Sequence, residues 1–481
     1  MRVTRAGVSD ASPANLERAG HACRAVLRDP GCGMTRRSFL GTLALTSVAP
    51  RWSAQVRGRR VNIGSLIGRI TNVKLYGAER PWAGANRVAY SDADVEARGY
   101  VMRLMTAAGV QPRIDAAGNI FGRRPGSDPS LAPILFGSHI DSVPNGGAFD
   151  GTLGALAALG VIEDCDFEGI GTRHPLEMVI WAHSEHVAFN RGLAGSRIAA
   201  GDVAPSDFDE VWNGMRRADA IRKIGGDPDR ITEASIRPGS VHCYLELHVE
   251  QGPVLERLDV PIGVVEGIVG VDRHHVSIAG VSRPAGSTPM DERRDALVAA
   301  SHLTIAVRDA VVRAAAAVTG TVDRLDMEPN APGMVPGTVR LTIDLRGMSD
   351  APLRAIAADI AGRAAAIATG TGTSITIAEP SRRAPVATTG ALREAIERAA
   401  ASLRLKTAPL ASGLPHDAQR IARLAPMGMI FVPSAGGVTH APDEQTSPML
   451  CSYGADVLLR TVLDVDRSLP DRLGGPAGAE A

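Results

Sequence analysis

Ile134-Leu135-Phe136-Gly137-Ser138-His139-Ile140-Asp141-Ser142-Val143-Pro144-Asn145-Gly146-Gly147-Ala148-Phe149-Asp150-Gly151 begins as an apolar run of strand length and empties into a polar loop holding one His and two Asp. Continuous apolar runs suit strands buried on both faces. Met178-Val179-Ile180-Trp181 and Met429-Ile430-Phe431-Val432 have the same form, and each leads into another His-bearing loop. Ala/Leu-rich segments such as 153–162 lie between them and suit helices. The pattern predicts an α/β fold with a mixed, largely parallel sheet flanked by helices. Ligands in such sheets gather beyond the strand C-termini, which makes His139, Asp141 and Asp150 the first candidates for chemistry.

Further along, Val339, Leu341, Ile343 and Leu345 alternate with Arg340, Thr342, Asp344 and Arg346, the period of a strand with one buried face. Asp350 is placed to cap a following helix whose Leu353, Ile356, Ile360 and Ile367 recur at helical spacing. A second helical segment, about 291–316, precedes the strand. Residues 270–382 thus read as a smaller α+β domain with a half-exposed sheet, inserted between two parts of the first domain, 61–269 and 383–468. Residues 1–60 form an N-terminal extension, and the Gly/Pro/Ala-rich tail 469–481 is expected to be disordered.

Of the 481 residues 44% are hydrophobic and 22% charged, enough to bury a core and to exclude general disorder. The formal charge is zero, yet residues 1–60 hold 11 Arg against 3 acidic groups, which leaves 41 basic and 49 acidic residues in 61–481. A mildly acidic body argues against nucleic acid as a partner. The five Cys show no CxxC spacing, so neither a zinc knuckle nor a disulfide scaffold is indicated. Met34-Thr35-Arg36-Arg37-Ser38-Phe39-Leu40, with the apolar stretch to Ala49, reads as a twin-arginine signal, too short for a stable membrane span. It implies the twin-arginine export machinery as a partner and a periplasmic or otherwise exported protein. If the Arg pair only caps an ordinary helix, the protein stays cytoplasmic. Met34 offers an alternative start.

A lone His-x-Asp decides little, but further metal-ligand types stand in comparable loops. They are Glu185 after Trp181-Ala182-His183-Ser184, His248 in Glu246-Leu247-His248-Val249-Glu250-Gln251-Gly252-Pro253, and His440 in Gly436-Gly437-Val438-Thr439-His440-Ala441-Pro442-Asp443-Glu444. Imidazole with carboxylate suits zinc, manganese, cobalt or nickel. Together with Ala285-Gly286-Ser287-Thr288-Pro289-Met290, these motifs resemble, in order and over residues 63–468, the hydantoinase/carbamoylase family of binuclear metal amidohydrolases. That group includes N-carbamoyl-L-amino-acid hydrolases, allantoate amidohydrolases and β-ureidopropionases, and is related to the dizinc aminoacylase and carboxypeptidase-like peptidases.

The resemblance implies a dimetal catalytic domain with an inserted lid and dimerisation domain, and hence a homodimer. It implies that His139 and His248 bind one divalent ion, Glu185 and His440 the other, and that Asp150 bridges them. Asp141 would orient His139, Arg346 would clamp a substrate carboxylate, and Gln251 and the segment His416-Asp417-Ala418 would lie near the site. Two metals sharing a hydroxide would attack the C–N bond of an amide, or of a ureido or carbamoyl group, in a small carboxylate-bearing molecule such as an N-carbamoyl amino acid or allantoate.

Three positions depart from the family pattern. Ser184 stands where a general-base Glu is usual, a group worth about 10²–10⁴-fold in rate. His183 or His186, with an ordinary pKa of about 6.5, are the candidate substitutes. Arg283-Pro284 replaces an Asn-His pair, with Arg283 a possible oxyanion partner, and Gly333 replaces a substrate-binding Asn. Two other readings stay open: a catalytically impaired metal-binding homologue, and an enzyme of changed reaction type, a condensation or lyase. Replacing Arg36 and Arg37 together by Lys is expected to retain a C-terminally tagged chain in the cytoplasm, read by cell fractionation; unchanged export would remove the twin-arginine reading.

Overall fold

The apolar runs become the strands Leu176–Trp181, Ile134–His139, Cys243–Val249 and Met427–Val432, neighbours in that order and all parallel. They form the middle of a nine-stranded sheet in a computed structural model that describes residues 61–80, 83–314 and 318–470. The twin-arginine segment, the rest of the N-terminal extension and the tail from residue 471 lie outside the described residues. Successive side chains leave a strand on opposite faces, and here both faces are apolar. Phe136, Leu245, Leu247, Ile430 and Val432 pack on one side with Leu156, Ile396 and Leu458, from the helices Thr152–Phe167, Gly390–Ser402 and Pro448–Ser468. Leu135, Tyr244, Met429 and Phe431 pack on the other side with Ala418 and Ile421.

The sheet is mixed because its flanks reverse direction. Ile120–Arg124 lies antiparallel to Leu176–Trp181, and Ile262–Ile268 antiparallel to Met427–Val432. Helix Thr152–Phe167 is buried continuously from Thr152 to Ile162, so its small residues let it lie close against the strands. At Gly154 an added Cβ would fall 2.1 Å from the Leu247 carbonyl oxygen. Only glycine permits that approach.

The chain leaves this sheet at Ile268 and pairs with it again at Val386. Between these points lies an antiparallel five-stranded sheet in the order Val318–Glu328, Thr338–Gly347, Gly270–Ala279 and Ser374–Ile377, with Ser381–Arg383 also pairing Gly270–Ala279. Val339, Leu341, Ile343 and Leu345 point to one face, where Leu303 and Val307 of helix Ala296–Ala314 and Leu353, Ile356 and Ile360 of helix Asp350–Thr371 cover them. Two expectations change in detail. The first helix begins at Ala296 rather than near 291, because Met290–Glu292 forms a separate 3-10 turn and the Asp295 carboxylate accepts from the Leu297 and Val298 amides. The second has extended Ser349 in the cap position, so Asp350 is its first residue rather than its cap.

The opposite face of this sheet is also less solvated than the alternation suggests. Asp344 is buried there, between the guanidinium groups of Arg273 and Arg346. Among the described residues no helix is long and apolar enough to cross a membrane. Gly154→Ala is expected to destabilise the protein by about 1–3 kcal/mol, the usual cost of overpacking, measured as a shift in the urea midpoint. A neutral substitution would mean that the helix can retreat from the sheet.

Candidate metal centre and its cavity

Four parallel strands deliver their C-terminal ends to one place. His139 is the last residue of its strand, His248 lies in the final pair of its strand, and Glu185 and His440 stand in the loops beyond Trp181 and Val432. Asp150 arrives from the loop that precedes helix Thr152–Phe167. Gly151 follows it at φ +62°, and an added Cβ there would lie 2.4 Å from the His139 ring, so the residue type allows both the turn and the approach.

The Asp150 carboxylate faces two ways. Its Oδ1 is 3.2 Å from His248 Nε2 and 3.7 Å from His139 Nε2, while its Oδ2 is 3.0 Å from His440 Nε2, itself 3.4 Å from Glu185 Oε1. Ligand atoms about 2.0–2.2 Å from a four-coordinate ion stand roughly 3.3–3.6 Å from one another, so each group has the spacing of donors around one cation. Asp150 Oδ1 is buried without a hydrogen-bond partner, an arrangement that costs free energy unless a cation completes it. The residues therefore fit two divalent ions per chain, with imidazole and carboxylate donors suited to zinc, manganese, cobalt or nickel. Glu246, His248 and His416 form a further group of donor types, but Glu246 already accepts from Ser138, Tyr244 and the Ala418 amide.

Asp141 acts on both sides of the centre. Its backbone carbonyl lies 3.1 Å from His139 Nδ1, closer than its carboxylate at 3.6 Å. The carboxylate instead accepts from the amides of Ser184 at 3.1 Å and Glu185 at 3.0 Å. Gln251 Nε2 donates to Asp150 Oδ2 at 3.0 Å. Glu444, quoted in the sequence motif without a role, accepts from the Phe149 and Asp150 amides and from Thr439. It fixes the loop that presents the shared carboxylate. Burial, followed by the Asp150 charge, pushes its carboxyl up to about 7.

The centre opens into a cavity of about 840 Å³. His416 lines it with its ring 4.6 Å from that of His248, and Ser412 Oγ lies 2.8 Å from its Nε2. Burial and then the His248 charge hold its pKa well below the usual value. His186 also lines the cavity, kept neutral with a pKa down to about 4 by burial and then by Arg383. Arg346 reaches the far wall from the smaller sheet, with Nε 2.7 Å from Asp344 and Nη1 2.9 Å from the Gly413 carbonyl.

Two candidates fall elsewhere. His183 is buried against Tyr90 and Phe189 and does not line the cavity, because its φ of +54° turns the ring away into that aromatic cluster. Arg283 is exposed on a two-residue strand paired with Met334–Val335 and does not line the cavity either. Its short ribbon stands on the smaller sheet's side of the chain.

The structure supplies what the sequence reading lacked at Ser184. Ser184 Oγ donates to Asp417 Oδ2 at 2.5 Å, and Ser196 Oγ to Asp417 Oδ1 at 2.5 Å. Burial, reinforced by Glu246, raises the Asp417 carboxyl to about 7. Ser184 and Asp417 both line the cavity.

A helix-flanked mixed sheet with a carboxylate facing two ion sites beyond its parallel strands defines a dimetal hydrolase. The sequence profile of Peptidase family M20/M25/M40 matches residues 135–464. The chain is 37% identical over 385 residues to an N-carbamoyl-L-amino acid amidohydrolase of Geobacillus stearothermophilus, covering 80% of this chain and 94% of that protein. A ureidoglycolate hydrolase of Arabidopsis thaliana is 34% identical, with 80% and 83% covered. The crystal structure of an amidase of the hydantoinase/carbamoylase family from Burkholderia multivorans superposes with a TM-score of 0.77 at 33% identity, covering 84% of this chain and 98% of that one. The chain belongs to the hydantoinase/carbamoylase amidohydrolases of the M20 family, metal-dependent hydrolases of C–N bonds other than peptide bonds.

Asp141→Asn is expected to weaken metal binding about 10–100-fold, the usual effect of losing a group that orients a ligand, read by titration with Zn²⁺ or Mn²⁺. Unchanged affinity would show that the backbone carbonyl alone suffices.

Proposed function

We propose that this metal-dependent hydrolase cleaves a carbamoyl or ureido C–N bond in a small carboxylate-bearing substrate, an N-carbamoyl amino acid or a molecule like allantoate. The observation that carries the reading is the two-sided Asp150 carboxylate at the floor of a cavity with guanidinium groups on its far wall. His139 and His248 would hold one ion, Glu185 and His440 the other, with Asp150 shared. The ions would supply Lewis acidity at the scissile carbonyl and activate water at neutral pH.

The chain's own groups do the rest. Arg346, held by Asp344 through Nε and Nη2 and by the Gly413 carbonyl through Nη1, keeps one N–H on each Nη for a substrate carboxylate. Gln251 steadies Asp150 and His440 on the substrate side, with Nε2 3.4 Å from His440 Nε2. In place of the usual Glu, the Ser184 hydroxyl and Asp417 carboxyl form the proton-handling pair: a carboxyl near 7 can take a proton through Ser184 Oγ and return it to the leaving nitrogen. His186 is the neighbouring alternative, but burial and then the arginines around it depress its basicity.

The smaller unit, read as 270–382, lends Val271, Arg273 and Arg346 to the cavity wall, and we assign it the role of pairing two chains. The strand Val318–Glu328 at the rim of its sheet is largely exposed, which supports that role. Export to the periplasm rests on Arg36-Arg37.

Purified protein is expected to hold about two ions per chain and to turn over N-carbamoyl amino acids, with activity lost on chelation and restored by Mn²⁺, Zn²⁺, Co²⁺ or Ni²⁺. Two bound ions without turnover of N-carbamoyl amino acids, allantoate or β-ureidopropionate would sink the hydrolase reading. Asp417→Asn is expected to cut kcat by about 10²–10⁴-fold with metal content unchanged, whereas a comparable loss in His186→Ala alone would move the proton role to that ring.

A further inference from the structure

The part of the cavity wall supplied by the smaller sheet carries more positive charge than its own carboxylates balance. Three guanidinium groups, Arg273, Arg346 and Arg383, gather around one carboxylate, Asp344. Arg273 Nη2 lies 2.8 Å and Arg346 Nε 2.7 Å from Asp344 oxygens, so each is partly neutralised by that carboxylate. The other cavity arginines have acids of their own: Arg382 with Asp272, Arg420 with Asp202, and Arg191 with Asp207.

Arg383 differs from all of these. It is the last residue of the strand Ser381–Arg383, paired with Val271 of the neighbouring strand, and is half-buried on the cavity wall. Among the described residues no carboxylate or carbonyl is bonded to its guanidinium, and its Nε is buried without a partner. Burial and the charges of Arg420, Arg346 and Arg273 lower its pKa to about 10. A fixed cation in like-charged surroundings is costly unless an anion completes it. Its planar fork matches a carboxylate held by two parallel hydrogen bonds. With Arg346 assigned to one substrate carboxylate on the hydrolase reading, Arg383 is left for another.

We propose that the natural substrate is a dianion, an N-carbamoyl or ureido dicarboxylate whose second carboxylate is held by Arg383. This rests on the hydrolase reading for the position of the first carboxylate and of the scissile bond. Arg383 is thus a specificity-determining residue. It discriminates by charge, because an amide of the same shape would leave the guanidinium unpaired.

The test uses two isosteric pairs, N-carbamoyl-L-glutamate against N-carbamoyl-L-glutamine and N-carbamoyl-L-aspartate against N-carbamoyl-L-asparagine, on the metal-loaded full chain. In the wild type kcat/KM is expected to favour a dianion over its amide by about 10–100-fold, in line with a charge-assisted pair. In Arg383→Gln that ratio is expected to fall at least tenfold, and in Arg383→Lys, which keeps the charge without the fork, to an intermediate value. Equal kcat/KM within both pairs, or a ratio unmoved in Arg383→Gln, overturns the proposal while leaving the hydrolase reading intact. If none of the four is turned over, calorimetric binding decides this proposal separately from the hydrolase reading. Dianions bound at least tenfold more tightly than amides, with the difference lost in Arg383→Gln, support it; equal binding refutes it.

Discussion

One carboxylate organises this molecule. Asp150 presents an oxygen to each of two donor groups, and everything around it serves to hold a single acidic side chain between four others without collapse. Without a cation the imidazoles answer that concentration of negative charge by holding protons. His440 is raised to about 10 by Asp150 and Glu185, and His139 well above its usual value, its burial outweighed by the Asp141, Asp150 and Glu185 charges. A divalent ion replaces those protons, which couples metal loading to proton release. The centre is built to be incomplete without metal.

The surrounding fold explains how the donors are kept in place. Parallel strands buried on both faces have little freedom to shift, because both sets of side chains are packed. Their C-terminal ends are therefore fixed points from which His139 and His248 project. The loops are tied by buried acids rather than by apolar contact. Asp141 holds the amides ahead of Glu185, Glu444 holds the amide of Asp150, and Asp417 holds the Ser184 hydroxyl. Each of these carboxylates spends its lone pairs on neighbouring donors, so a buried charge becomes a fastening.

Ser184 shows how local chemistry can be rearranged within such a frame. In isolation the hydroxyl is a poor base, and the sequence offers His183 and His186 as neighbours in its place. The structure separates them by where their rings lie: His183 in an aromatic cluster with Tyr90 and Phe189, and His186 on the cavity wall, where burial and then the nearby arginines keep it neutral. The group that meets Ser184 lies 233 residues further on, at Asp417.

The sequence alone determined the α/β frame, and its resemblance to a known family named the candidate donor residues that the fold brings together. Strands with apolar residues on both faces read as unbroken hydrophobic runs, and a residue just after such a run must emerge at the strand's end, so Ile134–His139 announced both a strand and a site. The alternation at 339–346 likewise fixed which side of the smaller sheet is covered, since period two admits one register. What tertiary structure decided was pairing across the chain and the direction of side chains in loops. Nothing local to Arg383 marks it as unpaired, because Arg273, Arg346 and Asp344 meet it only through the strand order of the second sheet. The bonds of Glu444, the pairing of Asp417 with Ser184 and the exclusion of His183 are of the same kind. Backbone conformation in loops and the neutralisation of buried charge depend on partners far apart in sequence, and only the folded chain brings those partners within a few ångströms.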